Sequence, residues 1–285
     1  MMRKTMASTA VLVSALTGVA LATTAYAGTL QTTPKAHFNG FSLGYKYTHY
    51  KRHEPGVTTK GGLNGAELGY EHMGSPIYFD FNLSYDTGKI NYNGVAQIPN
   101  SNGTYSYTPL HRHTHIKALV TYNIDVGPAF SMFSGRNILA PFIGTGGQYI
   151  YGSSPRTRVT YNGSTYTLPQ FARKNLMAQA QFGLADRYAV TPKLQIQGKA
   201  AGLIDIGGIY SDNAGGSGTY SGGDLGYRFK LRADYRLTHH IGVFASGAYY
   251  YFQTPKINSL GTNAYEPAAN KHEYSAVAGL TFRGL

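Results

Sequence analysis

Residues Leu225 to Leu237 read LGYRFKLRADYRL and alternate without interruption. In an extended chain Tyr227, Phe229, Leu231, Ala233 and Tyr235 fall on one side, with Arg228, Lys230, Arg232 and Asp234 on the other. A period of two excludes a helix, whose faces recur every ~3.6 residues. It also calls for two environments at once, one oily and one able to hold charge.

Ten such segments run along the chain, at residues 38–50, 62–72, 76–87, 111–124, 138–151, 174–185, 194–206, 224–236, 241–252 and 272–283. Each matches or exceeds the ~9–11 residues that a tilted membrane strand requires. In the first, Phe41, Leu43, Tyr45 and Tyr47 align, and in the third Ile77, Phe79, Phe81, Leu83 and Tyr85. The connections after even segments are short, as in HMGSP, DRYAVTPK and RLTHH, with a longer DVGPAFSMFSGRN after the fourth. Most of those after odd segments are long and rich in Gly, Ser, Asn, Thr and Pro. Short turns on one rim, long loops on the other and an even strand count predict an all-β fold: a single antiparallel up-and-down transmembrane β-barrel of about ten strands, eight or twelve being the neighbouring counts. A soluble β-sandwich or lipocalin-like barrel alternates too, but gives no reason for loop length to follow strand parity.

Residues 1–27 are predicted to be a secretory signal peptide. Arg3 and Lys4 precede an apolar run from about Val11 to Ala22, and Ala25 and Ala27 flank Tyr26 as an A-x-A cleavage site. Residues 28–285 then form the barrel. The chain has no cysteine, so an exported domain of this kind must be held by something other than disulfides, and a closed hydrogen-bonded sheet supplies that. Mean hydropathy is −0.26, which looks soluble only because alternating strands average their two faces. Tyr47, Tyr149, Tyr151, Tyr249 and Tyr251, near strand ends, are expected at the membrane interfaces.

APFIGTGGQYIY, residues 140–151, resembles the strands of small bacterial outer-membrane β-barrels, through Pro141, Phe142, Gly144, Gly146 and Tyr149. HEYSAVAGLTF is similar to the family's C-terminal assembly signal, with Tyr274, Ala276, Ala278, Leu280 and Phe282 alternating, although the chain continues as RGL beyond that aromatic. The resemblance implies a bacterial outer-membrane location. It leaves function open, because the family includes adhesins, enzymes and narrow pores. The ten-strand plan resembles the omptin proteases, whose Asp pair and Asp-His pair sit at strand tops; Asp86 and Asp205 occupy comparable positions. No histidine lies between His115 and His239, so the Asp-His partner is missing and no catalysis is expected. No cofactor is expected either.

HRHTH places His111, His113 and His115 on one face of the fourth segment, about 7 Å apart. Neutral imidazoles of that spacing would share Zn²⁺, Cu²⁺ or Ni²⁺ only with a ligand from another element. The competing expectation is a polar strand top in lumen water.

The formal net charge is +12. In the long loops Lys51, Arg52, Lys60, Lys89, Arg156, Arg158 and Lys256 face only Glu54, Asp212 and Glu266. Such a rim is predicted to attract lipopolysaccharide or acidic glycans, as the loops of opacity-type adhesins, which these resemble in charge, bind sulfated glycans. Export excludes nucleic acid as a partner, and a monomer is expected. By alternation Lys46, Lys117, Lys199, Arg228, Lys230 and Arg232 point into the lumen with Glu67, Glu71, Asp80, Asp86, Asp205 and Asp234. Around ten strands leave a slender interior that such side chains can close. The expectation is a plugged barrel, with Arg228 and Arg232 forked to carboxylates such as Glu67 or Asp80; the rival is a narrow, wetted channel.

Overall fold

The computed structural model describes residues 35–99, 104–213, 217–220, 222–254, 257–258, 265–266 and 268–284. The predicted signal peptide lies outside them. The chain is built of β1 (Phe38–Glu54), β2 (Val57–Gly74), β3 (Ile77–Pro99), β4 (Tyr105–Pro128), β5 (Phe130–Met132), β6 (Asn137–Ser154), β7 (Thr157–Tyr161) and β8 (Ser164–Leu168). It continues with β9 (Phe171–Ala189), β10 (Leu194–Asp212), β11 (Ser217–Tyr220), β12 (Leu225–Arg236), β13 (Ile241–Thr254), β14 (Ile257–Asn258), β15 (Tyr265–Glu266) and β16 (Ala269–Arg283).

Ten of these strands pair antiparallel in the order β1-β2-β3-β4-β6-β9-β10-β12-β13-β16, and β16 returns to β1 with Phe41 opposite Phe282. Closure leaves no open edge, the condition lipid imposes on any sheet that crosses it. Each predicted segment coincides with one barrel strand.

The alternation sorts as the sequence requires. Buried and exposed side chains alternate along β1, so Leu43, Tyr45 and Tyr47 face out while Ser42, Lys46 and Thr48 are buried. Ile77, Leu83, Ile143, Phe182, Leu184, Ile206, Phe229, Leu231 and Leu280 continue the outer apolar belt around the wall. In water such a belt would be a large defect; in a bilayer it is the matching surface.

The strands are longer than the sequence pattern alone indicated. β3 has 23 residues and β4 has 24, about twice the membrane requirement. Much of what reads as long loop is therefore strand, and the wall stands well above the apolar belt. Polar residues such as Asn91, Asn93 and His113 alternate there as regularly as apolar ones below. Pro55 and Gly56, at φ +74° for the glycine, make the tight outer turn between β1 and β2.

Two irregularities re-aim side chains. Between Asp205 and Gly207 the register of β10 against β9 shifts by one residue. Between Ile116 and Ala118 the register of β4 against β6 shifts in the same way, with Lys117 as the extra residue. A β-bulge reverses parity along one strand. The inward side of β4 is even-numbered above the bulge (Thr114, Ile116) and odd-numbered below it (Leu119, Asn123, Asp125). Lys117, expected in the lumen, is exposed on the outer wall instead.

Candidate functional site

The lumen is filled in three layers. Nearest the short turns, Arg187 donates to Glu71 at 2.8 Å and to Asp234 at 3.2 Å. Arg232 forks onto Asp234, with Nη2 to Oδ1 at 2.8 Å and Nε to Oδ2 at 3.0 Å. Gln195 and Gln197 accept from Arg187, and Phe38 lies under its guanidinium at 4.4 Å.

At mid-barrel Lys199 bridges Asp80 on β3 and Asp125 on β4. Lys230 reaches Glu67 across the lumen at 2.9 Å. Arg228 donates to Gln181 at 3.0 Å and stands 3.7 Å from Asp125. Above this, Lys46 holds Asp86 at 2.9 Å, Lys271 holds Glu273 at 2.9 Å and donates to Gln148, and Gln179 donates to the Tyr250 hydroxyl at 2.7 Å. Charges this far from water are costly unless paired and hydrogen-bonded.

These partners correct part of the expected pairing. Arg232 is held by Asp234 two residues along its own strand, not by Glu67 or Asp80, which take Lys230 and Lys199. Asp205 is buried but has no cation within ion-pair distance among the described residues; its Oδ1 accepts from the Gly207 N–H at the bulge. Asp86 and Asp205 are not paired with each other, so the carboxylate pair that the omptin resemblance implied is absent among the described residues. Arg187, Asp125, Lys271 and Glu273 belong to the network and were missed. Arg187 and Asp125 fall just past the ends assigned to their segments, and Lys271 just before one. Extending the alternation by one or two residues finds all three, and Glu273 already lay at an inward position.

Free space narrows toward the short-turn end. A cavity of about 280 Å³ opens at the long-loop mouth, about 70 Å³ remains at mid-barrel and about 10 Å³ beside Arg232.

The mouth is lined by inward residues of the strand extensions, including Tyr50, Arg52, Ile90, Arg112, Ile116 and Arg173. Arg112 stacks on Tyr92 with 5.0 Å to the ring centre. Burial pushes the Tyr92 phenol up, with Arg112 opposing, and burial lowers the Arg112 guanidinium, with Tyr92 opposing. Arg52, expected on the outer rim, turns inward here and pairs with Glu54 at 2.8 Å.

The outer wall above the apolar belt is basic. Lys51 stands directly opposite Lys60, and Lys60 opposite Asn91. Lys89 pairs in register with His115. Farther round, Lys117 and Lys174 both lie over the Tyr151 ring, at 5.2 and 5.6 Å. Among the described residues no aspartate or glutamate shares this outward face of β1 to β9 above the belt. A tyrosine cluster borders the basic wall beyond β1: Tyr227 meets Tyr251 at 5.1 Å and Tyr249 meets Tyr274 at 4.8 Å.

Arg156 and Arg158 are on the strand–turn segment leading through β7, the first exposed and the second likewise. Lys256 lies outside the described residues. His111, His113 and His115 are exposed on the outer face, not in the lumen, because the Lys117 bulge sets their parity. His111 bonds Asn93 at 2.9 Å. Among the described residues no group of three or more His, Cys, Asp or Glu side chains converges as a metal site, so the second ligand element that the histidines require is missing there.

The chain matches no family model and no curated protein. Solved structures align with it along most of its length. Outer membrane protease OmpT from Escherichia coli aligns with a TM-score of 0.60 at 15% identity, over 90% of this chain and 99% of that one. The translocator domain of autotransporter NalP from Neisseria meningitidis aligns with a TM-score of 0.42 at 12% identity, over 97% and 98% of the two chains. Neisserial surface protein A gives 0.32 at 11% identity, over 86% and 97%. At 15% identity the likeness to the protease is one of fold: the chain has the closed antiparallel β-barrel fold seen in that outer-membrane protein.

Proposed function

We propose that this protein works through its outer wall, as a non-conducting, non-catalytic barrel of the bacterial outer membrane that holds the phosphates of lipopolysaccharide against β1 to β9. The observation that carries the reading is the pairing of Lys51 opposite Lys60 with no carboxylate on the same face. Like charges directly opposite one another on a sheet repel. A bound anion removes that cost, and the anion at this height of an outer-membrane wall is lipid phosphate. Lys89, Lys117 and Lys174 extend the same surface, while the apolar belt below suits acyl chains. Acidic glycans would meet the same charges, with Arg156 and Arg158 nearer the tip.

The experiment compares binding of purified full-length protein to phosphorylated and phosphate-free lipopolysaccharide across a salt series. Tighter binding to the phosphorylated form, weakening with salt, is expected. The combined variant Lys51→Gln, Lys60→Gln and Lys117→Gln should lose most of that difference. Equal binding to both forms, or a variant indistinguishable from the parent, overturns the reading.

A further inference from the structure

The mouth cavity has a separate chemistry from the wall. Its upper part carries Arg52, Arg112 and Arg173, and its floor carries Lys271, against a single lining carboxylate, Glu54. Glu54 is taken by Arg52 and Glu273 by Lys271. Among the described residues no carboxylate is within ion-pair distance of Arg112, whose guanidinium is held in place by the Tyr92 face. Its Nε is buried without a hydrogen-bond partner, and so is Oδ1 of Asn175 on the same lining. A guanidinium that lines a cavity with no carboxylate partner has its charge uncompensated there, and a carboxylate is its natural complement.

Below the arginines the wall turns apolar. Tyr50, Ile90 and Ile116 form one buried cluster with Leu63 and Leu119, and Ile150 packs against it. A sugar would leave its hydroxyls unmatched against this collar. An apolar body fits it, with its acidic group raised to Arg112.

The geometry points to this cavity as a binding site for a small organic carboxylate with an aromatic or branched apolar body. The carboxylate accepts from Arg112, and the body sits between the Tyr92 ring and the isoleucine collar. Beneath it the Lys271, Glu273 and Gln148 layer closes the lumen, so the ligand enters and leaves by the same opening. This goes beyond the wall reading and uses none of the wall lysines.

The test uses full-length protein in detergent and para-trifluoromethylbenzoate as the probe, followed by fluorine NMR. Empty micelles and the Lys51→Gln, Lys60→Gln, Lys117→Gln variant serve as controls. The parent and the lysine variant should bind alike. Arg112→Gln, and separately the neutral probe para-trifluoromethylbenzamide, should each weaken binding about tenfold or more, the worth of one charged hydrogen bond. Ile116→Trp, which fills the collar without touching charge, should block the probe while unboiled protein still migrates as a folded barrel. The inference is overturned if the parent does not bind above the micelle background, if acid and amide bind equally, or if folded Arg112→Gln or Ile116→Trp binds like the parent.

Discussion

Arg187 of β9 reaches across the lumen to Glu71 of β2, 116 residues away in sequence and 2.8 Å away in space. The guanidinium is completely buried and also contacts Asp234. Asp234 keeps Arg232 if Arg187 is lost, but among the described residues Glu71 has no other cation within ion-pair distance and would be left with Gln197. Arg187→Ala should therefore destabilise the barrel by about 3 to 5 kcal/mol, the cost of stranding one buried charge. Urea unfolding in detergent measures it. Adding Glu71→Gln to that variant should restore part of the loss, since it removes the stranded charge.

Asp86 and Asp205 offer the opposite comparison. Both are buried, yet Asp86 has Lys46 and Asp205 has no cation among the described residues. Asp86→Asn should destabilise, because it leaves the Lys46 ammonium without its counter-charge. Asp205→Asn should leave stability unchanged or raise it, because it removes a buried charge that no cation offsets. The same unfolding assay ranks the two.

The bulge at Lys117 predicts a labelling pattern. The native chain has no cysteine, so single-cysteine variants report one position each. On intact cells a membrane-impermeant maleimide should label Lys117→Cys and Lys89→Cys, and spare Lys199→Cys. Protection at 117 as well as at 199, with 89 still labelled, would place Lys117 in the lumen, the face that strict alternation gives it.

The barrel strands were legible because each segment from Phe38 to Phe282 repeats at two, and a closed sheet between lipid and a polar interior converts that period directly into two faces. What the period could not show was where it breaks. Lys117 reads as inward when counted from the lower half of β4, and only the extra residue after Ile116 reverses it. Alternation also says which face a charge takes but not its partner: Arg232 to Asp234 is local, while Lys230 to Glu67 spans the lumen. Arg187 was hidden for a third reason. It lies in DRYA, which reads as a turn, although β9 runs on through it to Ala189.

A working surface on the outer wall requires a closed lumen. Each layer supports this, from Lys46 with Asp86 through Lys199 with Asp80 and Asp125 to Arg187 with Glu71. Planar-bilayer recording from purified full-length protein is the most direct measurement. No steady conductance is expected from the parent protein at moderate voltage. Reproducible single-channel steps of one size would contradict it and make the barrel a pore.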